Sequence, residues 1–493
     1  MLLESMLKGL EFECVQGALN IEIKNVHQDS RKVENGTLFL AIKGFKSDGH
    51  TYIEKAVSLG AVAIVVTVVS ESTLELANKH NLTVIKVTDD RFAMSHLANQ
   101  IENEPSQKLT MVGLTGTNGK TSTCRIITDM LNALDYPTGL LGTIANVINK
   151  VKYESKLTTP EPVELHHLLR LMVDNDVKAC VMEASSHALD LKRVDHVDFD
   201  YAVFTNLTED HLDYHSTFEQ YFNAKAKLFT LASKGRIINI DDRYGKRLYD
   251  LCLEDELDVK TISYGIDTEA DVRAEKIRYN NTGSFYELVT PKGRVEVQIP
   301  LPGKIYVYNS LAAFSILYLM GYSLEHIQAT CERINLVPGR MELVQKDTDV
   351  RVFVDYAHTP DALSNVIDIA RSVTEGRVLT VFGCGGDRDS MKRPLMGKIA
   401  ESKSDSIYIT SDNPRTEDPN HIIQDILKGL SHPERAHVES KRDRAIGQAI
   451  KDAQKGDVVL IAGKGHETYQ DINGTKHDFD DRKIALGYLN TEA

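Results

Sequence analysis

The chain has 493 residues, enough for about three domains and too many for one ordinary hydrophobic core. Its 42% hydrophobic and 26% charged content is that of a globular protein, which excludes disorder, collagen and coiled coil as the bulk of the chain. The net charge of −14 argues against bulk binding to nucleic acid or to an anionic membrane, yet leaves room for local basic pockets that hold small anions.

In chain order, residues 21–104 read as strand, strand, helix, strand, helix, strand, helix. The clearest strands are 37–42, 61–66 and 83–87, with a helix over 52–59 between the first two. Runs of β-branched residues bounded by Gly, Asn and Asp mark them. A second segment opens with the apolar run 109–114, a glycine-rich turn and a helix over 120–134. Buried-type strands follow at 179–183, 201–204 and 236–240. Near-continuous apolar strands with helices between them predict a parallel sheet covered on both faces. Residues 270–300 alternate and carry turn signals at Asn280-Asn281 and Gly283, which predicts antiparallel hairpins appended to that sheet. The third segment follows Val337-Pro338-Gly339, and its strands at 352–354, 378–382, 406–409 and 458–461 alternate with helices in a second doubly wound pattern. No repeat at a solenoid period is present. Boundaries are expected near 106 and 337.

Cys14, Cys124, Cys180, Cys252, Cys331 and Cys384 are scattered, without metal-knuckle spacing and far below the density of a disulfide scaffold. A reduced cytoplasm is the expected compartment. The N-terminal stretch has no apolar core flanked by basic residues, and no apolar run approaches ~18 residues. Neither a signal peptide nor a membrane span is expected.

The sharpest local signal is Leu114-Thr115-Gly116-Thr117-Asn118-Gly119-Lys120-Thr121-Ser122. It follows a strand and opens a helix, the context of a phosphate loop. Glycines let backbone N–H groups turn toward phosphate oxygens, and the helix N-terminus adds a favourable dipole. Lys120 would reach the outer phosphates and the Thr121 hydroxyl would bind Mg²⁺. The loop is a shortened variant, because Leu114 stands where the general pattern has its first Gly. A second glycine cluster, Gly383-Cys384-Gly385-Gly386-Asp387-Arg388, also follows a strand. A dinucleotide fingerprint would need Gly at 388. The Arg there instead suits a carboxylate, which a guanidinium holds in bidentate fashion.

These residues carry a resemblance. The chain resembles the Mur ligases, ATP-dependent amide-forming enzymes of peptidoglycan precursor synthesis. The matching stretches are Asp29-Ser30-Arg31, the phosphate loop, Thr158-Thr159-Pro160, Glu183-Ala184-Ser185-Ser186-His187, Asn206-Leu207-Thr208-Glu209-Asp210-His211-Leu212-Asp213, Pro338-Gly339-Arg340-Met341-Glu342, Asp355-Tyr356-Ala357-His358-Thr359-Pro360, Asp412-Asn413-Pro414-Arg415 and Gly463-Lys464-Gly465-His466-Glu467. One alone would be weak; together and in one order they are highly specific. The resemblance implies an α/β fold in three domains. A smaller N-terminal α/β domain over 1–106 would bind the UDP-sugar. A central P-loop ATPase domain with a parallel sheet would span 107–336, and a Rossmann-like amino-acid-binding domain 337–493.

The implied reaction adds meso-diaminopimelate to UDP-N-acetylmuramoyl-L-alanyl-D-glutamate through an acyl phosphate and a tetrahedral intermediate. Charge builds on the transferring phosphoryl group, so metal and cationic clamps should carry most of the catalysis. The residues implied as catalytic are Lys120, Glu183, His211 and Lys225. Gly116, Thr117, Asn118, Gly119, Lys120, Thr121, Ser122, Asn309 and Arg340 would bind ATP. Mg²⁺ would be held by Thr121, Glu183, His211 and Lys225, the last as a carbamate formed with carbon dioxide. Carbamylation needs a neutral amine, which a desolvated lysine supplies. Lys227, two positions on, faces elsewhere and reads as a surface residue.

Ser30, Thr158, Thr159, Ser185 and Arg193 would hold the UDP-sugar peptide. Arg388, Asp412, Asn413, Pro414, Arg415, Gly463 and Glu467 would hold the amino acid. Ile305 and Tyr306 replace the usual Phe-Asn of the family, and Leu191 stands where some relatives have Gln, so those contacts are not carried over. A cytoplasmic monomer is expected, with no nucleic acid and no membrane insertion.

Within the family, L-lysine is the alternative amino acid. Diaminopimelate has an extra carboxylate at its far end, and a buried Arg415 left unpaired would reject lysine. A folylpolyglutamate synthetase relative is disfavoured by the N-terminal domain and by Asp412-Asn413-Pro414-Arg415. A noncatalytic nucleotide-sugar-binding regulator is disfavoured by intact Lys120, Glu183, His211 and Lys225. An acidic chain with anionic substrates must recruit them through local cations, for which Lys120, Arg193, Arg340, Arg388 and Arg415 are the candidates.

Overall fold

Strand runs near the N-terminus are apolar at nearly every position because both faces of their sheet are covered. Leu38, Leu40, Ala63, Val65 and Ile85 pack on one face with Leu3, Met6 and Leu97. Phe39, Ala41, Ile64, Val66 and Val84 pack on the other with Ile53, Val57 and Ala77. A period of two sends successive residues to opposite cores. These contacts come from a computed structural model, which describes residues 1–493 apart from 45–46, 281–282, 336, 345–348 and 492–493. Residue 336, the expected end of the central segment, and Asn281 of the expected hairpin turn lie outside the described residues.

The chain divides into two compact units. One comprises Met1–Thr115, Asp135–Val203 and Ala224–Arg236; the other comprises Gly116–Leu134, Phe204–Asn223 and Ile237–Ala493. In the first unit the N-terminal sheet runs Glu13–Gln16, Thr83–Lys86, Ala61–Val66, Thr37–Leu40, Asn25–His27. Only the Glu13–Gln16 pairing is antiparallel. This polar edge strand is the element that the alternation of strands and helices misses. The same unit carries Thr110–Thr115 parallel to Ala179–Glu183, which is in turn parallel to Thr138–Leu141. Asn146–Ile148 and Val151–Tyr153 extend that edge as an antiparallel hairpin. The expected all-parallel sheet is therefore mixed at this edge.

In the second unit, Lys260–Gly265 pairs parallel with Val272–Asn280. Val272–Asn280, Gly283–Thr290 and Gly293–Ile299 follow as the expected antiparallel hairpins. The helix Lys304–Leu319 is buried on nearly all sides, which explains why its buried positions are apolar all round apart from Asn309, Ser310 and Ser315. A six-stranded sheet follows in the order Glu342–Leu343, Arg351–Asp355, Val458–Ala462, Val378–Phe382, Ser406–Ile409, His437–Val438. All its pairings are parallel except the first. Val352, Val354, Leu379, Val381, Val459 and Ile461 pack one face against Ile446 and Ala449. In such sheets ligands bind beyond the carboxyl ends of the strands, and the loops after Val378–Phe382, Ser406–Ile409 and Val458–Ala462 are those ends. The small hairpin Tyr469–Ile472 with Thr475–Asp478 has no counterpart in the sequence reading. Among the described residues no helix is long and apolar enough to cross a membrane.

Candidate active site

The phosphate loop leaves the Thr110–Thr115 strand and enters the Lys120–Ala133 helix. Gly119 has φ of 87°, and a Cβ there would sit 2.7 Å from Asn309 Oδ1. Only glycine meets both conditions. The loop is laced to residues 205–208. The N–H of Thr117 donates to the Asn206 carbonyl at 2.8 Å and that of Asn118 to Asn206 Oδ1 at 2.9 Å. Thr205 Oγ1 donates to the Asn118 carbonyl at 2.7 Å. No side chain caps the helix start, so its first-turn N–H groups have no acceptor within the helix, the arrangement that receives phosphate oxygens. Lys120 Nζ donates to the Gly116 and Thr117 carbonyls, both at 2.8 Å. Thr121 and Ser122 are buried in the first helical turn.

Asp210 and His211 follow in the same unit. His211 adopts a left-handed conformation with φ of 57°, and its Nε2 lies 3.5 Å from Asp210 Oδ2. Burial works to raise the Asp210 pKa, but the charges of His211, His358, Lys392 and Lys120 together hold the carboxyl below its usual range.

Asn309 and Tyr306 are three positions apart on the Lys304–Leu319 helix, hence on one face. Tyr306 is buried, and burial together with the charge of Asp355 pushes its hydroxyl pKa up against the opposing charge of Arg340. The residue replacing the family's Asn thus neighbours Arg340 and Asp355. The Arg340 guanidinium lies 4.9 Å from the centre of the Tyr356 ring, a cation–π contact. Asp355 accepts the N–H of Met341 at 2.7 Å; burial raises its pKa while Arg340 opposes the rise.

In the first unit, Glu183 ends the Ala179–Glu183 strand wholly buried. Thr143 binds both its oxygens, the N–H donating to Oε1 at 2.9 Å and Oγ1 to Oε2 at 3.1 Å. Thr143 Oγ1 also lies 3.1 Å from Thr158 Oγ1. Thr159 Oγ1 donates to the Glu183 carbonyl at 2.8 Å and accepts the Ser185 N–H at 3.0 Å. Arg193 Nη1 donates to the Thr159 carbonyl at 3.2 Å, and Nη2 pairs with Glu161 at 2.7 Å. Thr158, Thr159, Glu183, Ser185 and Arg193 therefore form one hydrogen-bonded cluster. Ser30 stands apart from it, buried at the start of the Ser30–Lys32 turn capped by Asp29. Lys225 is 1% exposed on the Phe218–Leu231 helix. Lys227 is half-exposed and pairs with Asp190 at 3.2 Å, as the spacing predicts.

At the carboxyl ends of the last sheet, Asp412, Asn413 and Pro414 are buried, whereas Arg415 is half-buried with φ of 51°. Arg388 is exposed. A Cβ on Gly385 would lie 3.0 Å from Arg415 Nη1 and 3.9 Å from the Arg388 side chain, so the two arginines flank one glycine turn. Gly463 has φ of 121°, and a Cβ there would collide with Asp412 Oδ2. Asn413 Nδ2 donates to Glu467 Oε2 at 2.8 Å. Asp412, Asn413, Gly463 and Glu467 are thus in contact.

Sequence reasoning missed Thr143 and Tyr221, whose hydroxyl lies 3.1 Å from Thr117 Oγ1. A lone Thr before a hairpin carries no local signal of the carboxylate it will hold. Among the described residues no group of three His, Cys, Asp or Glu could hold a metal alone. Mg²⁺ keeps waters and phosphate oxygens and needs only one or two carboxylates, so a single buried carboxylate such as Glu183 is a fitting donor type for it.

Three family models match the chain: the Mur ligase family catalytic domain over residues 22–101, the Mur ligase middle domain over 114–317, and the Mur ligase glutamate ligase domain over 339–465. Over 98% of its length the chain is 46% identical to the UDP-N-acetylmuramoyl-L-alanyl-D-glutamate–2,6-diaminopimelate ligase of Clostridioides difficile, 99% of which is covered. It is 43% identical over 99% of its length to a ligase of the same name, numbered 1, from Clostridium acetobutylicum, again covering 99% of the relative. A solved structure of a UDP-N-acetylmuramoyl-L-alanyl-D-glutamate–2,6-diaminopimelate ligase superposes with a TM-score of 0.71 at 32% identity, covering 100% of this chain and 99% of that one. The MurF ligase of Thermotoga maritima, solved in complex with ADP, shares the fold with a TM-score of 0.63 at 19% identity, covering 95% and 99% of the two chains.

Proposed function

The chain belongs to the Mur ligase family, and from that premise we propose that it joins meso-diaminopimelate to UDP-N-acetylmuramoyl-L-alanyl-D-glutamate at the expense of ATP, in cytoplasmic peptidoglycan precursor synthesis. The observation that carries the choice of amino acid is the pairing of charges at the carboxyl ends of the last sheet. Arg388 and Arg415 flank the Gly385 turn, and Asp412 and Glu467 stand on the neighbouring loops. Diaminopimelate carries an ammonium and a carboxylate at each end, so a site with both cationic and anionic groups suits it. Lysine would leave a guanidinium without its carboxylate. Full-length identity to diaminopimelate ligases supports the same reading.

The chain reads as three modules, 1–106 for the UDP-sugar, 107–336 for ATP and 337–493 for the amino acid. Lys120 and the loop from Gly116 to Ser122 bind the ATP phosphates. Asn309 and Arg340 hold the rest of the nucleotide, with Tyr306 beside Arg340 in place of the family's Asn. Ser30, Thr158, Thr159, Ser185 and Arg193 orient the UDP-sugar peptide so that its D-glutamyl carboxylate meets the γ-phosphate. That carboxylate oxygen takes the phosphoryl group and ADP leaves. The amine then adds to the acyl carbon, and the tetrahedral adduct expels phosphate as the amide forms. Mg²⁺ neutralises charge on the transferring phosphoryl group when bound; Thr121, Glu183, His211 and a carbamylated Lys225 are its proposed ligands. Thr143 fixes the Glu183 carboxylate for that task.

The test is phosphate release by the purified protein with ATP, Mg²⁺ and the UDP-linked dipeptide, comparing meso-diaminopimelate with L-lysine. Release dependent on meso-diaminopimelate is expected. Preference for lysine would overturn the amino-acid assignment, and release with neither would overturn the ligase. For the carbamate, Lys225→Ala should lose about 100-fold in turnover, on the scale of a disrupted metal shell. A short carboxylic acid should recover part of it. A fully active Lys225→Ala would remove the carbamate from the mechanism.

A further inference from the structure

Lys464 is fully buried in the loop after the Val458–Ala462 strand. Glycines with left-handed φ stand on both sides of it, Gly463 at 121° and Gly465 at 53°. A Cβ on Gly465 would come within 2.7 Å of the Tyr356 side chain. The Gly-Lys-Gly turn therefore presses the backbone against its neighbours and directs the lysine inward. Lys464 Nζ donates to Asn413 Oδ1 at 2.9 Å and to Glu467 Oε2 at 3.0 Å. Asn413 Nδ2 donates to that same Glu467 oxygen at 2.8 Å, and Asn413 Oδ1 also accepts the Asp471 N–H at 3.0 Å. Both donors converge on Oε2. Among the described residues no hydrogen bond reaches Glu467 Oε1, and Glu467 is only half-buried.

A buried ammonium is costly unless paired, and an apolar side chain would fill the same space more cheaply. The charge thus has a task beyond packing. We propose that Lys464 is a positioning residue for amino-acid recognition: by holding Oε2, it fixes the Glu467 carboxylate so that Oε1 faces an ammonium group of the incoming amino acid. Without it the carboxylate can rotate, and a directional charge-assisted contact becomes a poorly aimed one. The inference rests on the proposed amino-acid site and adds the group that aims it.

The experiment is a double-mutant cycle on the full-length protein, using whichever amino acid the wild type accepts. Lys464→Met should raise KM for the amino acid about tenfold, the scale of one charge-assisted hydrogen bond, with KM for ATP unchanged. In a Glu467→Gln background the same substitution should add less than about twofold, because the two residues act as one unit. An unchanged amino-acid KM, or effects that simply multiply, would overturn the proposal. If circular dichroism shows that Lys464→Met does not fold, Lys464→Gln takes its place, and a shift of KM below about threefold overturns the proposal. A wild type that releases phosphate with neither amino acid would instead sink the underlying function, so the two failures are distinct.

Discussion

Replacing Lys120 by alanine should lower turnover by on the order of 10³-fold or more, the scale of losing one preorganised electrostatic donor, while leaving thermal stability close to that of the parent. The reason lies in what the ammonium touches. Nζ donates to the Gly116 and Thr117 carbonyls, both at 2.8 Å. Those carbonyls belong to a loop already held by Thr205, Asn206 and Thr208, so the loop keeps its shape without the lysine. What is lost is a positive charge at a helix N-terminus, where the developing charge of phosphoryl transfer must be met. Lys120→Met, which keeps the length of the stem, should be as inactive as Lys120→Ala. Phosphate release in single-turnover mixing measures the chemical step directly. Turnover within tenfold of the parent in either variant would show that Lys120 is no phosphate ligand.

Much of this arrangement is legible in the sequence where the signal is local. The Ala179–Glu183 and Val378–Phe382 strands are near-continuous apolar runs, buried at every position, and their bounds match the reading. Lys225 and Lys227 separate by helical geometry alone, one buried and the other paired with Asp190 at the surface. What stays hidden depends on partners far along the chain. Glu13–Gln16 becomes a strand only by pairing with Thr83–Lys86, and its polar residues carry no apolar pattern. Thr143 acquires its meaning from Glu183, forty positions on. The hairpin from Tyr469 to Asp478 delivers Gln470 to the Asp412 carbonyl at 2.6 Å and the Asp471 N–H to Asn413, so the loop after Ser406–Ile409 rests on a ribbon that no motif announces. Glu467 is visible in its motif, but the two donors that converge on its Oε2 are not, because that requires Asn413 and Lys464 in three dimensions.

Arg442→Met should cost about 3–5 kcal/mol of stability in the C-terminal sheet, the range for breaking a buried ion pair from one side. The Arg442 and Asp481 side chains are both 0% exposed. Arg442 Nε and Nη2 each donate to Asp481 at 2.8 Å, a bidentate fork, and Nη2 also reaches the Ala462 carbonyl at 2.9 Å. Nη1 donates to the Ser411 carbonyl at 3.4 Å. One guanidinium therefore ties together the carboxyl ends of Ser406–Ile409 and Val458–Ala462, the strands that deliver Asp412 and Gly463. Burial works to lower the Arg442 pKa, yet the attraction of Asp481 prevails and the pKa is raised, so the charge is kept in the interior. Methionine fills much of the volume but leaves Asp481 as an uncompensated buried carboxylate and the two carbonyls without a donor. The double variant Arg442→Met/Asp481→Leu removes both charges and should recover most of the loss, because an apolar pair avoids the desolvation cost. Native-state hydrogen exchange of the amides in Val458–Ala462 and Ser406–Ile409 reads these changes where they occur. A loss under about 1 kcal/mol in the single variant would mean that water reaches Asp481 and that the fork is not what joins the two strand ends. Equal losses in the single and double variants would place the stability in the carbonyl contacts rather than in the ion pair.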